Sequence, residues 1–113
     1  MSLLAPILET ISILAFLFYG AACLVSPHLV KEFERYHLGR WRKLVGSLEI
    51  AGALGILVGQ LFPPLLIAAA AGLTALMLCG LWARWRISDP WYAMLPALIL
   101  ALINLAIIIL ALR

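Results

Sequence analysis

Four long apolar stretches take up almost all of this chain and constrain its fold more than any other feature. They cover residues 3–25, 44–62, 65–83 and 91–112. A hydrocarbon core of about 30 Å needs roughly 20 apolar helical residues to cross it, so each stretch suits a transmembrane helix. Composition agrees, because 66% of the 113 residues are hydrophobic and only 12% are charged. No water-soluble domain of this size could bury so much apolar surface. We predict an all-α integral membrane protein with a single domain, residues 1–113.

The connections between these stretches predict how the helices are arranged. Pro63 and Pro64 leave only a tight turn, so spans two and three return antiparallel and adjacent. Residues 27–38 carry apolar side chains on one side and charged ones on the other, as in an amphipathic helix at the membrane interface. Ser26 is predicted to be its N-cap and Gly39 a left-handed residue that ends it. The expected fold is an antiparallel four-transmembrane-helix bundle with a short interfacial helix between spans one and two.

The positive charges predict the orientation of the chain. The second connection has none. The first and third connections together hold seven: Lys31, Arg35, Arg40, Arg42, Lys43, Arg84 and Arg86. The positive-inside rule then places these connections in the cytoplasm and both termini outside it, in the cytoplasmic (inner) membrane. The net charge of +3 does not indicate nucleic acid. These cations flank apolar spans, so the lipid bilayer with its anionic head groups is their expected partner.

Small residues predict where helices approach each other closely. The helix-packing candidates are glycines of spans two and three: Gly46, Gly52, Gly55, Gly59 and Gly72. Small side chains also recur at three- and four-residue spacing along span three, in a set that we call the small-residue stripe: Ala68, Gly72, Ala75 and Cys79. We expect the stripe to face another helix and to pack against the glycines of span two.

Polar residues inside the spans or directly beside them are the candidates for ligand binding or buried polar contacts. They are Glu49, Glu9, Asn104 and Arg84. An unpaired charge in hydrocarbon costs about 3 kcal/mol or more, so each carboxylate must be paired, protonated or functional. Helix depth predicts an outer layer of Glu9 with Asn104 and an inner layer of Glu49 with Arg84 or Arg42. Purely structural roles stay open, since Glu49 can reach interfacial cations and Asn104 can join two helices.

The sequence offers no arrangement typical of catalysis or metal binding. Cys23 and Cys79 are far apart and form no CxxC pair, and His28 and His37 lack further ligands at suitable spacing. A nucleophile with its base and a phosphate-binding loop are also missing. We therefore expect a protein that is not an autonomous enzyme, with no metal and no evident cofactor.

Three parts of the chain together resemble a known family. They are Gly20, Leu24 and Pro27 at the end of span one, residues 42–49 (RKLVGSLE) at the start of span two, and Asp89 and Pro90 before span four. This pattern is similar to the DoxX-like family of small four-helix membrane proteins, which is related to the nicotinic acetylcholine receptor chaperone family. Cys23 departs from it, because relatives commonly carry a lysine there. Glu49 must then find another cation, such as Arg84.

The resemblance implies several kinds of function. Some members are linked to quinone-coupled sulfur oxidation and others to membrane-protein assembly. The first hypothesis is a non-catalytic membrane protein that binds a small hydrophobic ligand or lipid in its bundle, or that assists or docks with a partner membrane protein. The second is a membrane subunit of a quinone-linked oxidoreductase, with quinone as its cofactor at Glu49 and Arg84. The third is a structural homodimer joined through glycine or alanine faces.

Overall fold

The computed structural model describes residues 3–112, which form helices and turns and no strand. The elements are α1 Leu4–Val25, α2 Pro27–Arg35, a 3-10 turn Gly39–Trp41, α3 Arg42–Val58, α4 Pro63–Arg86 and α5 Trp91–Ala111. Three of these helices, α1, α4 and α5, are long and apolar enough to cross a membrane. The prediction of an all-α integral membrane protein is therefore confirmed. Helix α3 has 17 residues and ends at Val58, and the chain turns before Pro63.

Helices α1, α3, α4 and α5 pack side by side. Helix α1 contacts α3 and α5, and α4 contacts the same two helices from the other side. Large apolar side chains with almost no exposed surface fill the space between them: Phe16, Ile56, Leu73 and Ile107. Each helix therefore buries one side in this core. The opposite sides carry exposed leucine, isoleucine and phenylalanine, as expected for helices that face lipid.

Helices α2 and α4 end in the same way, each in one of the two charged connections. After α2, His37 is left-handed with φ 63°, and the Leu38 N–H donates to the Phe33 carbonyl at 2.8 Å. After α4, Ser88 is left-handed with φ 60°, and the Asp89 N–H donates to the Arg84 carbonyl at 3.0 Å. Each is a Schellman motif, which satisfies carbonyls that lack an intrahelical donor. The chain thus turns sharply at both places.

Of the two predicted capping residues, Ser26 is the N-cap of α2 as expected, whereas the prediction for Gly39 is wrong. Gly39 is not left-handed, because His37 has already ended α2 and Gly39 begins the 3-10 turn. Ser26 does lie between α1 and α2, with an extended backbone (ψ 125°) and Pro27 at the first helical position. Its side chain makes no capping hydrogen bond. The break between α1 and α2 therefore rests on backbone conformation and on Pro27.

The glycines of α3 lie at close helix contacts. A Cβ at Gly46 would lie 2.8 Å from the Cys23 Cβ and 2.9 Å from the Gly20 carbonyl oxygen of α1. Gly52, Gly55 and Gly59 lie instead against α4, at Leu73, Ala69 and Leu66 respectively. At Gly59 an added Cβ would lie 2.6 Å from the Leu66 Cα, which belongs to the backbone and cannot rotate away. Small residues thus let α3 approach both neighbours.

The small-residue stripe of α4 faces the other way. All four of its members are exposed, and a Cβ at Gly72 would meet nothing within 4 Å. Other side chains of α4 turn inward instead: Leu66, Ala70, Leu73 and Met77. The expectation that the stripe packs against the glycines of α3 is wrong, because those glycines meet Leu66, Ala69 and Leu73, on another side of α4.

Candidate functional site

A cavity of about 150 Å³ lies where α2 and the following turn cover the other helices. Every α-helix contributes to its lining, which is mostly apolar: Tyr19, Cys23, Leu29, Phe33, Tyr36, Leu38, Val45, Glu49, Leu76, Met77, Cys79, Gly80, Ala83, Arg84, Pro96, Ala97 and Leu100. A cavity of about this volume accommodates a benzene-sized group. An apolar cavity with a few converging polar groups is the usual form of a small-molecule site.

Glu49 is the acidic group of this cavity. It is 5% exposed, and the Cys23 thiol of α1 donates to its Oε2 over 3.6 Å. Gly20 and Gly46 bring the two backbones close enough for that contact. A thiol is a weak donor, so the carboxyl group keeps most of its hydrogen-bonding capacity.

Arg84 is the basic group of the same cavity. One of its N–H groups donates to the Gly80 carbonyl at 3.3 Å, and its guanidinium carbon lies 5.4 Å from the centre of the Tyr36 ring. Within residues 3–112, no ion pair of 4.0 Å or less joins Arg84 to a carboxylate. The structure therefore places Glu49 and Arg84 around one cavity without pairing them.

Arg42, the other predicted partner of Glu49, is engaged elsewhere. It donates to the carbonyls of Cys23 and Leu24, the latter at 3.1 Å. Both carbonyls belong to the last turn of α1, where no intrahelical N–H is left to bond them. Arg42 therefore caps α1 from the start of α3.

A group of charged and aromatic residues, here called the clasp, holds the α2 connection against the connection between α4 and α5. Arg35 donates to Asp89 at 2.6 and 3.2 Å and to Glu32 at 2.5 and 2.9 Å. These bonds from Arg35 lower the pKa of Asp89. Arg86 donates to the Tyr36 carbonyl, and burial raises the pKa of the Tyr36 hydroxyl. The clasp fixes the segment that covers the cavity.

The sequence analysis did not identify the clasp. The positive-inside rule assigns both connections to one side of the membrane, which is the only sequence signal that they could meet. Arg35 and Asp89 are 54 residues apart, and their partnership depends on the two sharp turns at His37 and Ser88. Residue type and spacing alone do not encode such a contact.

The outer polar residues lie away from the cavity. The Ser12 hydroxyl of α1 donates to Asn104 Oδ1 of α5 at 2.9 Å, and Asn104 Nδ2 donates to the Leu100 carbonyl at 2.9 Å. Ser12 and Asn104 are fully buried. Glu9, 8% exposed, makes no hydrogen bond to Asn104 in the part of the chain that the structure describes. Ser12, which the sequence analysis missed, takes the position predicted for Glu9; its only signal was its place three residues later on α1.

Comparison with known proteins gives one match. The model of the DoxX-like family matches residues 7–107, which include every residue that lines the cavity and both members of the outer polar pair. No curated protein and no solved structure matches the chain. The resemblance found in the sequence is therefore confirmed at the level of the family.

Proposed function

This chain belongs to the DoxX-like family, and we propose that it is a non-catalytic membrane protein that binds a small hydrophobic ligand or lipid in the cavity under α2. The cavity itself supports this proposal. Its lining is mostly apolar, yet it includes the two charged side chains Glu49 and Arg84, which do not pair with each other. Charged side chains that line a cavity and do not pair with each other can bind a ligand there.

We further propose that α3 crosses the membrane together with α1, α4 and α5, as a four-transmembrane-helix bundle. Its 17 residues extend about 26 Å, somewhat less than the hydrocarbon core. Its position between α1 and α4 supports this assignment. The cations of the first and third connections support a cytoplasmic location for α2 and the clasp, with both termini on the opposite side of the inner membrane.

The polar residues then divide into two groups. Glu49 and Arg84 are the proposed ligand contacts, since both line the cavity. Asn104 is proposed to hold α1 and α5 together through Ser12. Glu9, a second buried carboxyl outside the cavity, supplies a natural control.

The experiment is native mass spectrometry of the full chain extracted with its own lipids. Ala97→Phe fills the cavity from α5, whereas Glu9→Gln changes a buried carboxyl that does not line it. We expect a stoichiometric bound molecule in the wild type and in Glu9→Gln, and its loss in Ala97→Phe. An empty wild-type protein, or a molecule retained equally in folded Ala97→Phe, would contradict ligand binding in this cavity.

A second candidate is a membrane subunit of a quinone-linked oxidoreductase. The combination of Glu49, Arg84 and Tyr36 around an apolar volume also suits a ring with carbonyl oxygens. Release of a quinone in the same spectra would favour this candidate over other hydrophobic ligands.

A third candidate is a homodimeric module. The exposed small-residue stripe of α4 supports it, because small side chains permit close approach of a second helix in lipid. Native masses at twice the chain mass, unchanged in Ala97→Phe, would favour this candidate.

A further inference from the structure

We infer that the molecule held in the cavity carries an anionic oxygen head group, a carboxylate or a phosphate, and that Arg84 binds it. This inference rests on the proposed function and adds the chemical class of the ligand. The observations that lead to it are the contacts of Arg84, its position within the cavity and the path left for an apolar chain.

Arg84 differs from the other arginines around the cavity in its partners. Arg35 bonds two carboxylates, and Arg86 and Arg42 bond backbone carbonyls. Arg84 makes one long hydrogen bond, to a carbonyl of its own helix. A guanidinium carries several N–H donors in a planar fork that matches a carboxylate or a phosphate. In residues 3–112 no carboxylate lies within ion-pair distance of that fork.

The guanidinium of Arg84 is also held in place before any ligand arrives. It lies against the Tyr36 ring, and Tyr36 is itself fixed by the bond from Arg86 to its carbonyl and by Arg35 at 5.3 Å from its ring centre. This contact with the ring uses none of the N–H groups as hydrogen-bond donors to an oxygen, so they stay available to an acceptor. A donor that is already positioned loses less entropy on binding.

The depth of the charged groups sets the direction of an amphiphile in the cavity. Arg84 lies two residues before the end of α4, whereas Glu49 lies seven residues into α3. A head group at Arg84 is therefore nearer the membrane surface, and its chain points inward along Leu76 and Leu100. Tyr19 and Pro96 line the cavity and are also exposed, so the volume reaches the outer surface of the helices. A chain longer than the cavity can extend there into lipid.

Substitution of Glu49 tests whether the head group of the ligand is negatively charged. It accepts the Cys23 thiol, and it has the same charge as the proposed head group when ionised. Removing that charge with Glu49→Gln should raise the affinity for an anionic ligand, because the repulsion between the two anions is lost. A ligand that instead donates a hydrogen bond to Glu49 would bind more weakly to this variant.

The experiment measures binding of oleate, lysophosphatidic acid and uncharged oleyl alcohol to the full chain in an uncharged detergent. The variants are Arg84→Gln, Arg84→Lys and the control Arg40→Gln, which changes an exposed arginine that lies on Trp41 outside the cavity. Losing a charge-assisted hydrogen bond should weaken binding of the anions about 10- to 100-fold in Arg84→Gln. Binding of the alcohol should stay unchanged, Arg84→Lys should fall between, and Arg40→Gln should match the wild type.

Several outcomes would overturn the inference. If oleyl alcohol binds as tightly as oleate, or if Arg84→Gln binds both anions like the wild type, Arg84 is not an anion receptor, although the proposed function survives. If Arg84→Gln does not fold, Glu49→Gln becomes the test, and weaker anion binding by that variant contradicts the inference. If none of the three amphiphiles binds and native spectra are empty, the proposed function fails as well. Competition by inorganic phosphate would identify a free anion, and its absence a lipid head group, as the source of the oxygen ligand.

Discussion

The outer polar pair and the cavity differ in how their polar side chains are hydrogen-bonded. Ser12 and Asn104 are fully buried and bond to each other, and Asn104 also bonds to its own helix. Glu49 and Arg84 line one cavity and do not bond to each other, and each makes one weak hydrogen bond to another group. Polar groups that satisfy each other's hydrogen bonds fix the arrangement of helices. Polar groups that line a cavity and make few hydrogen bonds can bind a ligand there.

Packing of the helices repeats this contrast. Gly59, far from the cavity, lies against the backbone of α4 with no room for a methyl group. Gly80 lines the cavity, and an added Cβ there would meet only the flexible end of Arg84, at 3.2 Å. Gly59 is therefore much less tolerant of an added methyl group than Gly80, and three measurements can break or sharpen the comparison between the two regions.

The largest effect is expected from adding one methyl group at three glycines. Gly59→Ala should destabilise the fold by about 2 kcal/mol, because α4 must move to admit the Cβ. Gly80→Ala should be close to neutral. Gly72→Ala, in open space on α4, should be neutral or stabilising by up to about 1 kcal/mol from helix propensity. Reversible unfolding in mixed detergent measures all three, and equal losses at Gly59 and Gly80 would remove the contrast.

A smaller effect is expected from paired substitutions at the two polar sites. Ser12→Ala and Asn104→Leu, alone and combined, should give a coupling energy of about 1 kcal/mol, typical of interhelical hydrogen bonds. Cys23→Ala and Glu49→Gln should couple by less than about 0.5 kcal/mol, since the thiol is a weak donor at 3.6 Å. Unfolding free energies of the single and double variants supply both values. A stronger coupling at Glu49 would mean that this carboxyl is structural.

The smallest effect is expected from protonation of Asp89, the carboxyl group of the clasp that Arg35 bonds. Arg35 lowers the pKa of Asp89 below its ordinary value of 3.8. The contribution of the clasp to stability is therefore complete above pH 3.8 and is lost as the pH falls through the lowered pKa. Arg35 is well exposed, so solvent screens much of this contribution. The unfolding midpoint should drop slightly in acid for the wild type and for Glu34→Gln, but should not show this drop in Asp89→Asn. The same drop in all three proteins would assign it to other carboxyl groups.

Sequence reasoning succeeded where one local rule decides the outcome. Long apolar runs identify α1, α4 and α5. It failed where two local rules compete: Gly39 is the better left-handed residue by type, yet His37 takes that conformation because the Schellman bonds of α2 close there. The small-residue stripe failed for a related reason, since close spacing identifies a smooth face but not the neighbour that it meets.

Two of the predicted candidates line the cavity, but their contacts were not predicted. Glu49 and Arg84 stood out as charges in apolar sequence, and the structure brings both to one cavity. Their separation, the contact between Cys23 and Glu49, and the use of Arg42 as a cap for α1 depend on how α1 and α3 lie against each other. Side-chain reach within a fraction of an ångström decides such contacts, and spacing along one chain does not contain that information.

The sequence by itself determined that this is a helical membrane protein of the DoxX-like family and that Glu9, Glu49 and Asn104 lie within its apolar helices. Hydrophobic length and composition are additive along the chain, so they can be summed without knowing the fold. Only the tertiary structure decided that Asn104 bonds to Ser12 and not to Glu9. It also decided that the clasp joins the α2 connection to the α4–α5 connection, and that Glu49 and Arg84 line one cavity. These features depend on the distances between helices, which are fixed by the close contacts of the glycines in α3 with both neighbours.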